Sequence, residues 1–335
     1  MKVRLGFRVG WHEDRKWRLA RQLGLDTAMT PPWYRRNESG PQPWSFMPLL
    51  HAQQRFADFG FELLVVSPPP MDEIRLGTAK KEREYDDMFE LIETMGALKI
   101  PVLCYNFNAV LHATRTSNTT RGRGGALVTS YDDALMKDAP LTHVGRVDDE
   151  LLWDNLHEFL ERTVPVAESN GVKLALHPDD PPIPRLRGIA RIIRSVEALK
   201  RVVELVPSPS NGLTFCQGTM ATMGADIPAA IRYFGSRKLI HFVHFRDVRG
   251  TATKFEETFH DEGKTDMYEA LRAYAEVGFD GPMRPDHAPV MDGEDNSDPM
   301  YMDLGRLYAI GYIKGMLEGV THLQQTGALE GASNT

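Results

Sequence analysis

The sequence predicts a single-domain α/β protein, a (β/α)8 TIM barrel, on three observations. Short apolar runs rich in β-branched and aromatic residues recur eight times, amphipathic helical stretches separate them, and no composition break marks a linker. Such alternation implies parallel strands joined by crossover helices, and eight units imply closure into a barrel. An open doubly wound sheet would carry a glycine-rich phosphate fingerprint after its first strand, and none stands there.

Each unit can be justified in turn. Residues 3–9 alternate apolar and polar side chains as a strand does, and a helical stretch follows at 15–23. Strand 26–29 leads to helix 44–59. Strand 62–67 leads to helix 82–98, where Met88, Leu91, Ile92 and Met95 fall at helical spacing. Strand 102–107 is followed at a distance by helix 149–170. The remaining pairs are 173–177 with 194–205, 212–216 with 225–234, 240–247 with 266–277, and 281–286 with 302–323. Two connections exceed plain loops. Residues 108–147 contain Arg115, Arg121 and Arg123 among glycines, and residues 249–264 are rich in charge and Thr. Both follow strands, so both are candidate substrate lids at the C-terminal face; a flexible surface insertion is the competing expectation for the first. The barrel is expected to span 1–325, with a small, polar, disordered tail at 326–335.

Composition narrows the function classes. Of 335 residues, 39 are Lys or Arg and 46 Asp or Glu, a net charge of −7 that disfavours a nucleic-acid binder. Apolar residues make up 42% and charged residues 25%, as in globular chains rather than disordered ones. No run has the length of a membrane span or the pattern of an export signal, so no membrane partner is expected. Two cysteines, Cys104 and Cys216, cannot staple so long a chain, which points to a reducing, cytoplasmic setting.

The late strand ends carry the chemistry. His177 ends the fifth strand, Cys216 the sixth, His244 lies near the end of the seventh, and Asp286 ends the eighth. Imidazole, thiolate and carboxylate delivered to one barrel face suit a borderline divalent metal such as Mn, Fe, Co or Zn, and these four are the expected ligands. His241, three residues before His244, is the alternative; His244 is preferred because it lies nearer the C-terminal end. Cys104 is expected to be a buried structural thiol. His287, next to Asp286, is placed to act as a general base, and Tyr301, before the last helix, to donate a proton; the two roles are interchangeable at this point. Arg284 is expected either to grip a substrate carboxylate or to form an ion pair inside the barrel. Asp179 and Asp180 are expected to support the ligands from behind, to contact substrate or to cap the following turn, and His260 and Lys264, in the second lid, to close over a polar substrate. The face of the last helix with Tyr308, Tyr312 and Met316 leaves room for a homo-oligomer, packing on the barrel being the preferred account.

At these residues the sequence resembles the mannonate dehydratase family, within the xylose-isomerase-like metal-dependent barrels. The resemblance is carried by LALHPDDPPIPRLRGIARIIRS at 174–195, NGLTFCQGTMATMGAD at 211–226, SRKLIHFVHFRDVRG at 236–250, ETFHDEGKTDM at 257–267, GFDGPMRPDH at 278–287 and YMDLGRLYAIGYIKG at 301–315. It implies a lyase using one Mn2+ or Fe2+ per chain to remove water from D-mannonate, giving 2-keto-3-deoxy-D-gluconate. It implies metal ligation by His177, Cys216, the histidine of the HFRDV segment and Asp286, with His287 and Tyr301 as the catalytic pair. Cys104-Tyr105-Asn106-Phe107 with Arg115-Thr116 also resembles the family, which adds Asn106 and Arg115 to the expected substrate contacts. The stretches at 30–36 and 67–70 lie outside the resemblance. They keep a different aldonic or uronic acid, or a sugar isomerase or epimerase reaction, as the alternatives.

Overall fold

A computed structural model describes residues 3–33 and 35–326; the residues of the expected tail from 327 onward lie outside the described residues. In chain order the elements are β1 (Arg4–Leu5), β2 (Phe7–Arg8), α1 (Arg15–Gln22), β3 (Thr27–Met29), α2 (Phe46–Asp58), β4 (Glu62–Val66), α3 (Asp72–Leu76), α4 (Lys81–Leu98), β5 (Val102–Asn106), β6 (Ser117–Arg121), β7 (Leu127–Asp132), α5 (Asp149–Ser169), β8 (Lys173–His177), β9 (Arg185–Leu186), β10 (Ile189–Ala190), α6 (Val196–Leu205), β11 (Asn211–Cys216), α7 (Gln217–Thr222), α8 (Ile227–Ser236), β12 (Ile240–Phe245), β13 (Val248–Thr251), β14 (Lys254–Glu257), α9 (Met267–Glu276), β15 (Pro282–Pro285) and α10 (Asp303–Gln325). Several helices begin where a short polar side chain takes up an orphan N–H: Asp14 accepts from Trp17 N at 3.1 Å, Ser195 from Ala198 N at 3.1 Å, Asp226 from Ala229 N at 3.0 Å.

The parallel sheet runs β1-β15-β12-β11-β8-β5-β4-β3-β2. Its two ends are halves of one strand: β1 pairs with β15 (Leu5↔Met283) and β2 with β3 (Phe7↔Ala28). Gly6 is the joint, and through it the sheet closes on itself as the eight predicted units require.

The two-residue period of the strands sorts their side chains. Leu103, Leu174, Leu213, Phe215, Val243 and Met283 belong to the large core between strands and helices. Their neighbours Val102, Ala175 and Phe242 join Met29, Leu64 and Val65 in a small core inside the lumen. Continuing that inward phase to the strand ends brings Cys104 and Asn106, His177, Cys216, His244, and Arg284 with Asp286 to one end of the lumen.

The two long connections depart from the lid-loop expectation. Neither is a plain loop: β6 and β7 from the first join β13 and β14 from the second in one four-stranded antiparallel sheet, ordered β13-β14-β7-β6. The cross-connection pairs Phe255 with Tyr131 and Lys254 with Asp132, and the two rings lie 5.9 Å apart. The Leu127–Asp132 stretch is β-branched and aromatic, and Gly124 and Gly125 turn the preceding hairpin at φ 63° and 88°, a conformation costly for other residues. Turn residues at the tip mask this strand pattern, and pairing with a partner more than a hundred residues away completes it.

Candidate active site

A cavity of about 370 Å³ opens at the C-terminal ends of the barrel strands. Its wall carries His177, His244, Asp286, His287 and Tyr301 on one side, and Thr30, Trp33 and the 67–70 stretch on the other. Strand ends position the first group. In register, Asn106 stands beside His177, Cys216 beside His244, and His244 beside Arg284.

One ligand atom from each of His177, Cys216, His244 and Asp286 lies within 4.8 Å of the others. His177 Nδ1 sits 2.7 Å from the Pro178 carbonyl, which assigns that nitrogen the proton and leaves Nε2 with its lone pair. Both ring nitrogens of His244 are buried without a hydrogen-bond partner, an expensive state that a cation relieves. Thr219 Oγ1 donates to Cys216 Sγ at 3.2 Å. Burial pushes the Cys216 thiol up, but the Arg246 and His177 charges outweigh it and hold it below its ordinary value. Burial acts the same way on Asp286, and the neighbouring His287 and His244 rings with the Arg284 and Arg246 guanidiniums hold its carboxyl well below the usual range. Two imidazoles, a cysteine sulfur and a carboxylate converging on one point fit a borderline divalent ion. His241 is turned the other way, its Nδ1 2.8 Å from the Leu174 carbonyl, on the outward side of β12.

Behind the ligands lies a buried ion network. Arg115 clamps Asp180 through both terminal nitrogens at 2.8 Å and reaches Glu257 Oε1 at 2.6 Å. Arg246 donates to Asp180 at 2.9 Å and to Thr219 Oγ1 at 3.2 Å, and lies 3.3 Å from Glu257 and 3.4 Å from Asp286. Asp180, Glu257 and His287 also come close enough together to suggest a second cation site. The two guanidiniums already compensate those carboxylates, so that group reads as an ion network rather than a metal centre.

His287 is buried between these parts. Its Nδ1 faces an acceptor, Glu257 Oε1 at 2.8 Å, and two donors, Arg246 Nη1 and, at 3.3 Å, Arg115 Nη2. Burial, then the Arg246 charge, lowers its pKa, so the ring is neutral at pH 7. Its ring centroid lies 5.4 Å from that of Tyr301. Tyr301 Oη donates to Asp286 Oδ1 at 3.1 Å, and burial pushes its pKa up to about 12.

The other expected contacts divide. Asn106 lines the cavity, its Oδ1 accepting from Arg75 Nη2 at 2.9 Å. Arg284 lines it too, but is committed to Asp286 at 2.8 Å, the ion-pair alternative. Arg115 stands behind the lining, in the network. Asp179 is turned away: it accepts from Ile193 N at 2.7 Å and lies 3.6 Å from Arg191, so it caps its turn. His260 is buried against the Phe245 carbonyl at 2.7 Å, and exposed Lys264 donates to the Gly250 carbonyl at 2.7 Å; neither lines the cavity. Their segment is used for β-pairing instead of closing over the cavity. Cys104 lies in the cavity wall, accepting from Thr214 at 3.2 Å. Tyr308 packs on Phe259 at 5.5 Å, the lid-side form of the packing account. Sequence reasoning missed the roles of Arg246 and Glu257; each stood in a quoted motif, and the signal was a charged residue inside an apolar strand or at its exit, whereas Asp180 takes the supporting place behind the ligands that was one of its expected roles.

Comparison with known proteins identifies the family. A family model described as D-mannonate dehydratase (UxuA) matches residues 33–146 and 139–327, reaching into the N-terminal third. The mannonate dehydratase of Thermotoga maritima is 32% identical over 318 residues, covering 84% of this chain and 88% of that protein, and that of Thermotoga neapolitana is 31% identical over the same span. The solved mannonate dehydratase of Streptococcus suis serotype 2 superposes with a TM-score of 0.87 at 27% identity, covering 97% of this chain and 95% of that one. A xylose isomerase domain protein of Planctomyces limnophilus superposes at 0.63 with 12% identity, covering 96% and 100%, a likeness of fold.

Proposed function

The chain belongs to the D-mannonate dehydratase family, and from that premise we propose that it is a hydro-lyase converting D-mannonate to 2-keto-3-deoxy-D-gluconate. The observation that carries the reading is a divalent-ion ligand set directly beside a neutral imidazole and a protonated phenol. His177, Cys216, His244 and Asp286 would hold one Mn2+ or Fe2+. When bound, such an ion supplies Lewis-acid stabilisation of negative charge on substrate oxygens.

The chain's own groups account for the proton transfers. His287 takes the C2 proton, and Glu257, 2.8 Å from its Nδ1, steadies the imidazolium that forms. Tyr301 keeps its proton at neutral pH and delivers it to the departing C3 hydroxyl, turning from Asp286 to do so. Asn106 donates no hydrogen bond through its amide nitrogen among the described residues, which leaves that group for a substrate hydroxyl.

A different aldonic or uronic acid, the alternative drawn from the 30–36 and 67–70 stretches, loses most of that ground, because the family model covers residues 33–146; Thr30, Trp33 and Pro68 line the cavity. The barrel as one domain and a cytoplasmic setting belong to the same proposal; the cysteines are unpaired, and no described helix is long and apolar enough to cross a membrane. Incubating the Mn2+-loaded protein with D-mannonate and following products by NMR is the test. Formation of the 2-keto-3-deoxy acid is expected. Turnover of another aldonate alone would replace the substrate, and epimerisation or isomerisation without loss of water would overturn the lyase assignment.

A further inference from the structure

The arginines around the cavity are compensated, with one exception. Arg75 is held by Asp72 at 2.9 Å and by Asn106. Arg284 is held by Asp286, and Arg115 and Arg246 share Asp180 and Glu257. Arg8 also lines the cavity, yet its guanidinium makes no hydrogen bond and no ion pair among the described residues. Its place follows from the strand period: Phe7 belongs to the outer core, so Arg8 takes the lumen side at the end of β2. The guanidinium lies 4.1 Å from the centroid of the Tyr301 ring. Stacking engages its face and leaves its in-plane N–H donors without acceptors.

The carboxylates of the cavity are committed to other partners: Asp286 to Arg284 and Tyr301, Asp180 to Arg115 and Arg246, and Asp72 to Arg75. Arg306 lies 3.9 Å from Asp303 and donates to the Arg8 carbonyl at 3.1 Å. Burial, then the Arg8 charge, pushes Arg306 down to about 10. Arg284 and Arg306 each lie 5.9 Å from the Tyr301 ring. A planar, uncompensated cation in a partly buried cavity, with further cations behind it, is a receptor for an oxyanion.

We propose that Arg8 binds the carboxylate of the substrate. The proposal rests on the aldonate-dehydratase reading. In an aldonate the carboxylate is C1 and the departing hydroxyl sits on C3, one carbon beyond C2. The group that anchors C1 must therefore stand beside the acid that serves C3, which is the relation of Arg8 to Tyr301. Arg284, the sequence-level candidate, is already occupied by Asp286.

The test measures Mn2+-loaded wild type, Arg8→Gln and Arg8→Lys by steady-state kinetics on D-mannonate and by calorimetric binding of D-mannonate and D-mannitol, which lacks the carboxylate. Arg8→Gln is expected to raise KM and Kd for D-mannonate roughly 10–100-fold, the size of a lost charge-assisted hydrogen bond. D-Mannitol binding should be unchanged, and Arg8→Lys should fall between, keeping charge but not the fork. Wild-type D-mannonate affinity in Arg8→Gln, or equal losses for acid and polyol, overturns the proposal while leaving the lyase reading intact. A wild type that turns over and binds no aldonate overturns both.

Discussion

Replacing Glu257 by Gln separates the role of its charge from that of its shape. Glu257 Oε1 lies 2.6 Å from Arg115 Nη2, 2.8 Å from His287 Nδ1 and 3.3 Å from Arg246 Nη1, and the side chain is 2% exposed. An amide preserves the volume and can still accept from His287. The buried cluster loses one negative charge, and removing one partner of a buried pair costs about 3–5 kcal/mol. The lower end applies, because Arg115 and Arg246 both keep Asp180 at 2.8 and 2.9 Å. A loss of about 3 kcal/mol lowers the melting temperature by roughly 4 °C in a domain of this size. The same substitution withdraws the anion that stabilises the His287 imidazolium, weakening the base. A charge-assisted hydrogen bond of about 1.5–3 kcal/mol corresponds to roughly a 10–150-fold fall in kcat, with KM little changed. Scanning fluorimetry and steady-state kinetics on Mn2+-loaded protein give both quantities. A variant with wild-type melting temperature and kcat would refute the network as the support of the base.

Three further outcomes are expected. Cys216→Ala should lose most bound Mn2+ or Fe2+ after dialysis, measured by inductively coupled plasma mass spectrometry; full occupancy would remove Cys216 from the ligand set. Gly218→Ala places a Cβ 2.7 Å from Arg246 Cγ and closer still to Nε, so overpacking should cost about 1–3 kcal/mol and displace the network; unchanged melting and kcat would show that Arg246 has room to shift. His241 is buried with its pKa lowered from 6.5 to about 4, chiefly by burial. The unfolded chain therefore binds a proton that the folded chain refuses, and stability falls as pH drops from 6.5 towards 4, by on the order of 3 kcal/mol. His241→Asn, which can still donate to the Leu174 carbonyl, should flatten that part of the urea-midpoint profile, and a profile parallel to wild type would count against it.

The barrel was legible because period and spacing are local properties. Every strand and helix written from periodicity lies within a few residues of its observed counterpart, and the inward phase of the strands carried His177, Cys216, His244 and Asp286 with it. What escaped depends on partners remote in the chain. Nothing near Leu127–Asp132 announces that Lys254–Glu257 will pair with it. Asp179 and Asp180 are adjacent and chemically identical, yet one caps a turn at Ile193 and the other joins two arginines. His260 and Lys264 looked like substrate contacts because charge in a loop usually faces solvent or ligand. Their hydrogen bonds go to backbone carbonyls instead. Arg8 was hidden inside a strand pattern, where only the inventory of its neighbours distinguishes it from a barrel ion pair.

The antiparallel sheet above the barrel also bears on how the chain is made. Its β6–β7 hairpin leaves the ribosome long before β14, the strand that covers the free side of β7. Until then Leu127–Asp132, a β-prone stretch with a single charge, presents open backbone donors and acceptors, the kind of edge that recruits strands from other molecules. A nascent chain stopped before Glu257 keeps that edge bare and lacks the carboxylate that tunes His287. Intermolecular pairing and failure to assemble the base therefore share one origin, and synthesis of a single four-residue strand ends both.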